Sequence, residues 1–401
     1  MSDTRNIDNR AGRLSDEGSA NAKQRWNLQS YIFLLPFFLL FIGDFQLPVG
    51  KSVVTVPMGM VLVLPAFVWY LITRKLEFSG PSMLLVGVLL CGSLGFLFTP
   101  LASFLRSVVG ALPIAFAALI IVVYEGHPVS QEKAVTCMLM GGLVLAVAVV
   151  ILFFYSLGVQ GDFYNKKLMI ETPLGRSNYL AAFLLLLFAL SLPRNIFISA
   201  IFLGAIFCTL SRGGVLALVM FLAIIPFLRR GKLCVLSFGV MSVCFLVACL
   251  APDVVVEYFS SILNLQGIGL DSVFNRFKLW SFGFDIFSEH PVFGIGPNTF
   301  RTFVELAGNV EDVWGAHNSV LLVVLNYGFF GLILYSAYLW IIYKNLLLAE
   351  AIDARFFYLR AVFLVLLVFG LYEPLVGSAA FEVMLALVFV LARSQILIDA
   401  D

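Results

Sequence analysis

From residue 28 onward the chain is built of apolar runs separated by short polar links. The runs are roughly 17–22 residues long, the length a helix needs to cross a hydrocarbon core. They predict about 12 transmembrane helices, near 28–43, 53–72, 82–98, 103–124, 134–157, 178–192, 195–210, 213–228, 233–251, 317–343, 356–372 and 376–392. The expected organisation is a disordered tail over 1–27, helices one to nine over 28–251, a long loop over 252–316, helices ten to twelve over 317–392 and a second tail over 393–401. No small-residue cleavage site follows the first apolar run, so that run is expected to be a retained helix and not a signal peptide.

Sidedness follows from the basic links. The first tail carries Arg5, Arg10, Arg13, Lys23 and Arg25. If every run spans, the links Thr73-Arg74-Lys75-Leu76 and Arg229-Arg230-Gly231-Lys232 share its side, which the positive-inside rule makes cytoplasmic for both termini. The opposite side receives 158–177, the Ser211-Arg212-Gly213-Gly214 corner and the long loop. That loop holds eight acids, Asp253, Glu257, Asp271, Asp285, Glu289, Glu305, Glu311 and Asp312, against three bases, Arg276, Lys278 and Arg301. Its cations therefore act locally, not by bulk attraction. Phe274, Phe277, Trp280 or Ser281, Phe284 and Phe287 recur at helical spacing and predict an amphipathic helix at the bilayer surface or against the bundle. Pro291 ends it after His290, and Gly294-Ile295-Gly296-Pro297 predicts a turn.

Composition agrees with a membrane class and removes others. The chain has 401 residues, 61% hydrophobic and 12% charged, where a soluble domain carries about a quarter charged. A net charge of +1 offers nothing to nucleic acid. The six cysteines, Cys91, Cys137, Cys208, Cys234, Cys244 and Cys249, lie in or beside apolar runs, so neither a disulfide framework nor a thiolate metal site is expected. No Gly-rich phosphate loop, His-Glu-x-x-His motif or Asp-x-Asp pair in an external loop occurs, so neither ATP use nor a bound metal or other cofactor is expected. Span centres nearly free of ionisable residues argue against an ion-coupled transporter.

Three residues on the outer side carry the candidate chemistry. His317, one of three histidines, stands in Ala316-His317-Asn318-Ser319 at the start of a long apolar run, where it is either a helix-end residue or a base for a sugar hydroxyl. Arg212 either snorkels to headgroups or helps bind a phosphate, with Gly213 and Gly214 letting the phosphate approach the backbone. Arg276 either pairs with Asp271 or Asp253 or forks onto phosphate oxygens. Arg176 and Arg106 are further external cations, Asn318 is a polar neighbour of the histidine, and Glu373 is the acid near the last external turn. His290 reads as a helix C-terminal residue and His127 as a solvated loop residue. A titratable imidazole with fixed cations at one face points to transfer chemistry on a phosphate-bearing substrate.

The motifs Ser211-Arg212-Gly213-Gly214, Asn275-Arg276 with His290-Pro291 and Gly294-Ile295-Gly296, and His317-Asn318 running to Tyr327-Gly328-Phe329-Phe330-Gly331 are similar, in order and spacing, to those of the O-antigen ligase and O-antigen polymerase family of bacterial inner-membrane glycosyltransferases. The resemblance covers roughly 170–345 well and the flanks by topology. It implies an all-α polytopic membrane protein of the inner membrane whose long periplasmic loop carries the amphipathic helix. It also implies a metal-independent, inverting glycosyltransferase without cofactor, acting at the periplasmic face on an undecaprenyl-pyrophosphate-linked glycan. Carried over by motif, Arg212 and Arg276 would hold the pyrophosphate and His317 would be catalytic. The acceptor would be lipid A–core, in lipopolysaccharide synthesis, or a second lipid-linked glycan. The ten-residue gap between His317 and Gly328 favours ligase over polymerase. No marked extra periplasmic domain suggests the protein acceptor of the similar pilin-glycosylating transferases. A lipid-linked glycan flippase or other transporter is the competing class, since it too needs many spans and external cations.

Overall fold

The computed structural model describes residues 28–39, 44–49, 52–73, 78–98, 104–125, 130–158, 167, 169, 170, 172, 177–228, 270–307 and 316–400. Its elements are α1 (Leu28–Leu39), strands β1 (Asp44–Val49) and β2 (Ser52–Pro57), α2 (Met58–Thr73), α3 (Gly80–Gly95), α4 (Phe104–Glu125), α5 (Gln131–Leu157), α6 (Ser177–Ser191), α7 (Ile196–Cys208), α8 (Arg212–Leu228), α9 (Leu270–Glu289), α10 (Phe300–Leu306), α11 (Ser319–Ile352), α12 (Phe356–Phe369) and α13 (Ala379–Ala400). The helical membrane architecture is as expected, with one addition. Residues 44–49 and 52–57, near the join of the first two apolar runs, form an antiparallel pair of strands with Gln46 opposite Thr55 and Leu47 opposite Val54. The β-branched run Val53-Val54-Thr55-Val56 suits an extended chain better than a helix.

Among the described residues, five helical stretches are long and apolar enough to cross a membrane: Gly80–Phe98, Phe104–Glu125, Gln131–Leu157, Ser319–Ile352 and Ala380–Ile398. The other apolar helices, among them α6, α7, α8 and α12, are shorter. The run expected over 233–251 and the tail over 1–27 lie outside the described residues. α13 continues through the residues expected as a C-terminal tail. α11 packs on α3 and α13, α13 on α4, and α6 on α7, α8 and α12. Large apolar side chains such as Ile72, Leu97, Phe154 and Phe197 stay exposed, as lipid-facing positions must in a bundle whose solvent is hydrocarbon.

Two polar clusters mark the opposite ends of this bundle. At one end, Arg355 pairs with Glu132 at 2.7 Å and with Asp353 at 2.8 Å, joining the start of α5 to the α11–α12 link. At the other lie the starts of α6, α8 and α11 and the end of α12. α12 has 14 residues, a rise of roughly 21 Å, against a hydrocarbon core of about 30 Å.

The run expected as one helix over 317–343 is two helices met end to end. Gly328 breaks α11 with φ 68° and ψ −169°. The segment after α9 docks into the break: Ile295 N–H donates to Leu325 O at 2.8 Å and Phe329 N–H to Pro291 O at 2.8 Å. A Cβ on Gly328 would stand 2.2 Å from Val292 O, so only glycine fits both the space and the positive φ. Gly294 (φ 70°) and Gly296 (φ 87°) make the predicted turn.

Candidate active site

The end of α12 runs into a turn over 370–378 that carries Glu373 inward. The carboxyl is 8% exposed, not the free acid of a surface turn. Arg276 Nη2 donates to its Oε1 at 3.0 Å and Asn178 Nδ2 donates to the same oxygen at 2.8 Å. His317 Nδ1 stands 3.9 Å from Oε2, beyond hydrogen-bond reach. Burial pushes this carboxyl up, but the neighbouring His317 ring, the Arg276 charge and the Asn178 amide outweigh it and hold Glu373 below the usual carboxylate range. Arg276 thus pairs with an acid 97 positions away in sequence; Asp253 and the Asp271 side chain lie outside what the structure describes.

His317 does not begin the helix; it precedes the cap. Asn318 is the N-cap of α11, its side chain accepting from Leu321 N–H at 2.9 Å, so Asn318 serves the helix end first. The next residue, Ser319, ties this corner to the Glu373 turn. Its N–H donates to Gly370 O at 2.7 Å, its Oγ donates to Glu373 O at 2.8 Å, and that Oγ accepts from Leu375 N–H at 3.0 Å. On the other flank, Trp280 of α9 donates its indole N–H to Ala316 O at 2.8 Å. Held from both sides, His317 adopts φ 47°, a left-handed conformation that costs a non-glycine residue about 1–3 kcal/mol. Its ring is one-third exposed, and Nδ1 has no hydrogen-bond partner among the described residues.

Arg212 is the first residue of α8, after a Ser211 cap whose Oγ accepts from Gly214 N–H at 2.9 Å and donates to Asn178 Oδ1 at 2.7 Å. Asn178 thus bridges the Arg212 corner and Glu373. The two glycines also serve the packing of the bundle. A Cβ on Gly214 would meet the Ala181 Cβ at 2.3 Å, and one on Gly213 the Phe369 ring at 2.7 Å. They let α8 pack tightly on α6 and α12.

A third cation was not foreseen. Lys167 is largely buried and interacts with Glu373, Arg212 and Arg276 together. Burial lowers its ammonium below the usual lysine range; Glu373 opposes this shift and the two arginines add to it. Lys167, Arg212 and Arg276 therefore share one electrostatic neighbourhood with a carboxylate that Arg276 binds directly. Lys167 and Asn178 escaped sequence reading because each is an ordinary polar residue in the 158–178 region, and Asn178 lies 195 positions from the acid it meets.

The remaining candidates divide. Arg106 binds Glu305 at 3.2 Å and Thr302 Oγ1 at 3.4 Å, alongside the Arg301–Glu305 pair, which ties it to α10. His290 follows the end of α9 and lies against Phe98, ring centres 4.9 Å apart, as expected of a helix-end residue. Arg176 and His127 lie outside the described residues. The aromatic stripe of α9 is split: Trp280 and Phe287 pack inward with Leu279, Phe282 and Ile286, whereas Phe277 and Phe284 are exposed.

Residues 197–336 match a family model described as O-antigen ligase. That segment is similar to the O-antigen ligase family. No curated protein matches the chain. The segment holds Arg212, Arg276 and His317, while Lys167, Asn178 and Glu373 come from outside it. The match lies in a chain whose described residues include helices long and apolar enough to make several membrane crossings.

Proposed function

We propose that this protein transfers a glycan from undecaprenyl pyrophosphate to an acceptor hydroxyl at the periplasmic face of the inner membrane, with lipid A–core as acceptor in lipopolysaccharide synthesis. One observation carries the reading: inside and beside the segment that matches the O-antigen ligase model, Arg276 binds the buried Glu373 carboxylate and Lys167 interacts electrostatically with Glu373, Arg212 and Arg276, next to a histidine whose Nδ1 has no hydrogen-bond partner among the described residues. A low-dielectric site with excess positive charge calls for a multiply charged anion, and a diphosphate supplies one.

The chemistry balances without a nucleotide. The acceptor oxygen attacks the anomeric carbon, the bond from that carbon to the phosphate oxygen breaks, and undecaprenyl pyrophosphate leaves with the electron pair. Arg212, Arg276 and Lys167 stabilise the charge growing on it. His317 takes the acceptor proton, and Glu373, ionised at neutral pH, orients the ring and stabilises the imidazolium once the gap at Nδ1 closes. Attack opposite the leaving group inverts the anomeric centre. The cations already balance the pyrophosphate, so the reaction is expected to run in chelator.

The test is to incubate purified protein with lipid-pyrophosphate-linked glycan and lipid A–core, without ATP and with EDTA. The expected product is glycan joined to the core, with release of undecaprenyl pyrophosphate. Polymerised donor with the core untouched would mean a polymerase. Failure to join either acceptor would overturn the transferase reading.

A further inference from the structure

Below the Glu373 turn lies a second buried acid that sequence reading passed over. Glu382 sits in the first turn of α13 and is fully buried. Its Oε1 accepts from the Gly377 N–H at 2.9 Å and from the Tyr335 hydroxyl at 3.0 Å, with Oε2 3.2 Å from that hydroxyl. Tyr335 stands on α11 beyond the Gly328 break. Gly377 closes the turn that carries Glu373, at φ 80°, with open space where a Cβ would be. The turn is held from above by Ser319 and at its middle by Tyr179, whose hydroxyl donates to Pro374 O at 2.9 Å. Glu382 supplies the hold from below. A buried carboxyl in an apolar bundle is costly, and it persists where its hydrogen bonds fix something.

We infer that Glu382 is the positioning residue of the Glu373 turn, pinning Gly377 to the far half of the broken helix so that Glu373 meets Arg276, Asn178 and His317. It touches none of the proposed reactants and acts through Glu373. This deepens the transferase reading and relies on it only for the activity measurements below. What Glu382 contributes is an acceptor oxygen, not a charge, because one oxygen takes both hydrogen bonds. Glutamine keeps that oxygen and leucine does not.

Two measurements test it on the full-length protein in detergent. The first is hydrogen exchange of the 375–378 amides, which needs no substrate. Exchange there should rise by about tenfold or more in Glu382→Leu, rise less in Tyr335→Phe, and stay near wild type in Glu382→Gln. The second is transfer rate. Glu382→Leu should lose about 10- to 100-fold, and nothing further when Glu373→Gln is already present, because the two act as one unit. Should Glu382→Leu not fold, the Tyr335→Phe and Glu382→Gln comparison carries the test, with Tyr335→Phe losing about three- to tenfold and nothing further on Glu373→Gln. Unchanged exchange in the Leu and Phe variants, full additivity with Glu373→Gln, or a Gln variant as impaired as Leu would each overturn the inference. A wild-type protein without transfer would count against the transferase reading alone, since the exchange measurement still decides the role of Glu382.

Discussion

At the scale of single residues, the site is a contest between burial and pairing, and the pairings can be cut one at a time. Arg212→Lys and Arg276→Lys keep charge but lose the planar fork. Each should lose about 30- to 1000-fold in transfer rate, the equivalent of roughly 2–4 kcal/mol. Near-normal rates at equal expression would reduce the residue to a positive anchor. For Lys167 the sign is set by its lowered ammonium. The charge is present at neutral pH and is lost as pH rises through a value below the ordinary lysine range, so pyrophosphate-donor affinity should weaken on that alkaline limb. Lys167→Arg should flatten the limb, and a pH-independent affinity in wild type would remove Lys167 from the site. Glu373 has the opposite sign: its lowered value means the contribution to stability is complete above the ordinary carboxylate range and is lost only as pH falls through the lower one. Glu373→Gln should therefore erase an acid-side loss of thermal stability, checked by melting curves against pH.

Helix ends are the elements that build this site, and their legibility in sequence was uneven. Arg212, Arg276 and His317 were readable because each interrupts or borders an apolar pattern, and Glu373 because it is an acid at a turn between two runs. Asn178 and Lys167 were not, since nothing local signals a partner that only tertiary packing brings near. Nor was the break in α11 visible, because the apolar pattern runs unchanged through Tyr327-Gly328-Phe329. Periodicity reports burial, not whether one helix or two provide it. The aromatic stripe of α9 left its orientation open for a related reason: in a membrane protein aromatics are as stable facing lipid as facing the core, so a stripe of them does not say which way is inward. The break yields its own prediction. Gly328→Ala meets Val292 O at 2.2 Å in a positive-φ position, and should cost at least about 2 kcal/mol. A melting temperature within error of wild type would show that the docked segment yields.

On the scale of the whole molecule, the account needs the Glu373 cluster on one side of the membrane and the Arg355–Glu132–Asp353 cluster on the other. The transmembrane count expected from the apolar runs is tied to the same sidedness. In a cysteine-free background, a cysteine at the exposed Ser288 of α9 should react with an impermeant reagent only from outside, and one at Lys133 only from inside. The most direct measurement joins sidedness to chemistry. Protein in sealed vesicles of known orientation receives lipid-pyrophosphate-linked glycan and lipid A–core without ATP or gradient. Wild type should join them only on the face where the Ser288 cysteine labels. His317→Ala should bind donor normally but transfer about 10²–10⁴-fold more slowly, with His290→Ala close to wild type. Movement of unjoined glycan across the bilayer, or His317→Ala transferring at the wild-type rate, would contradict the account.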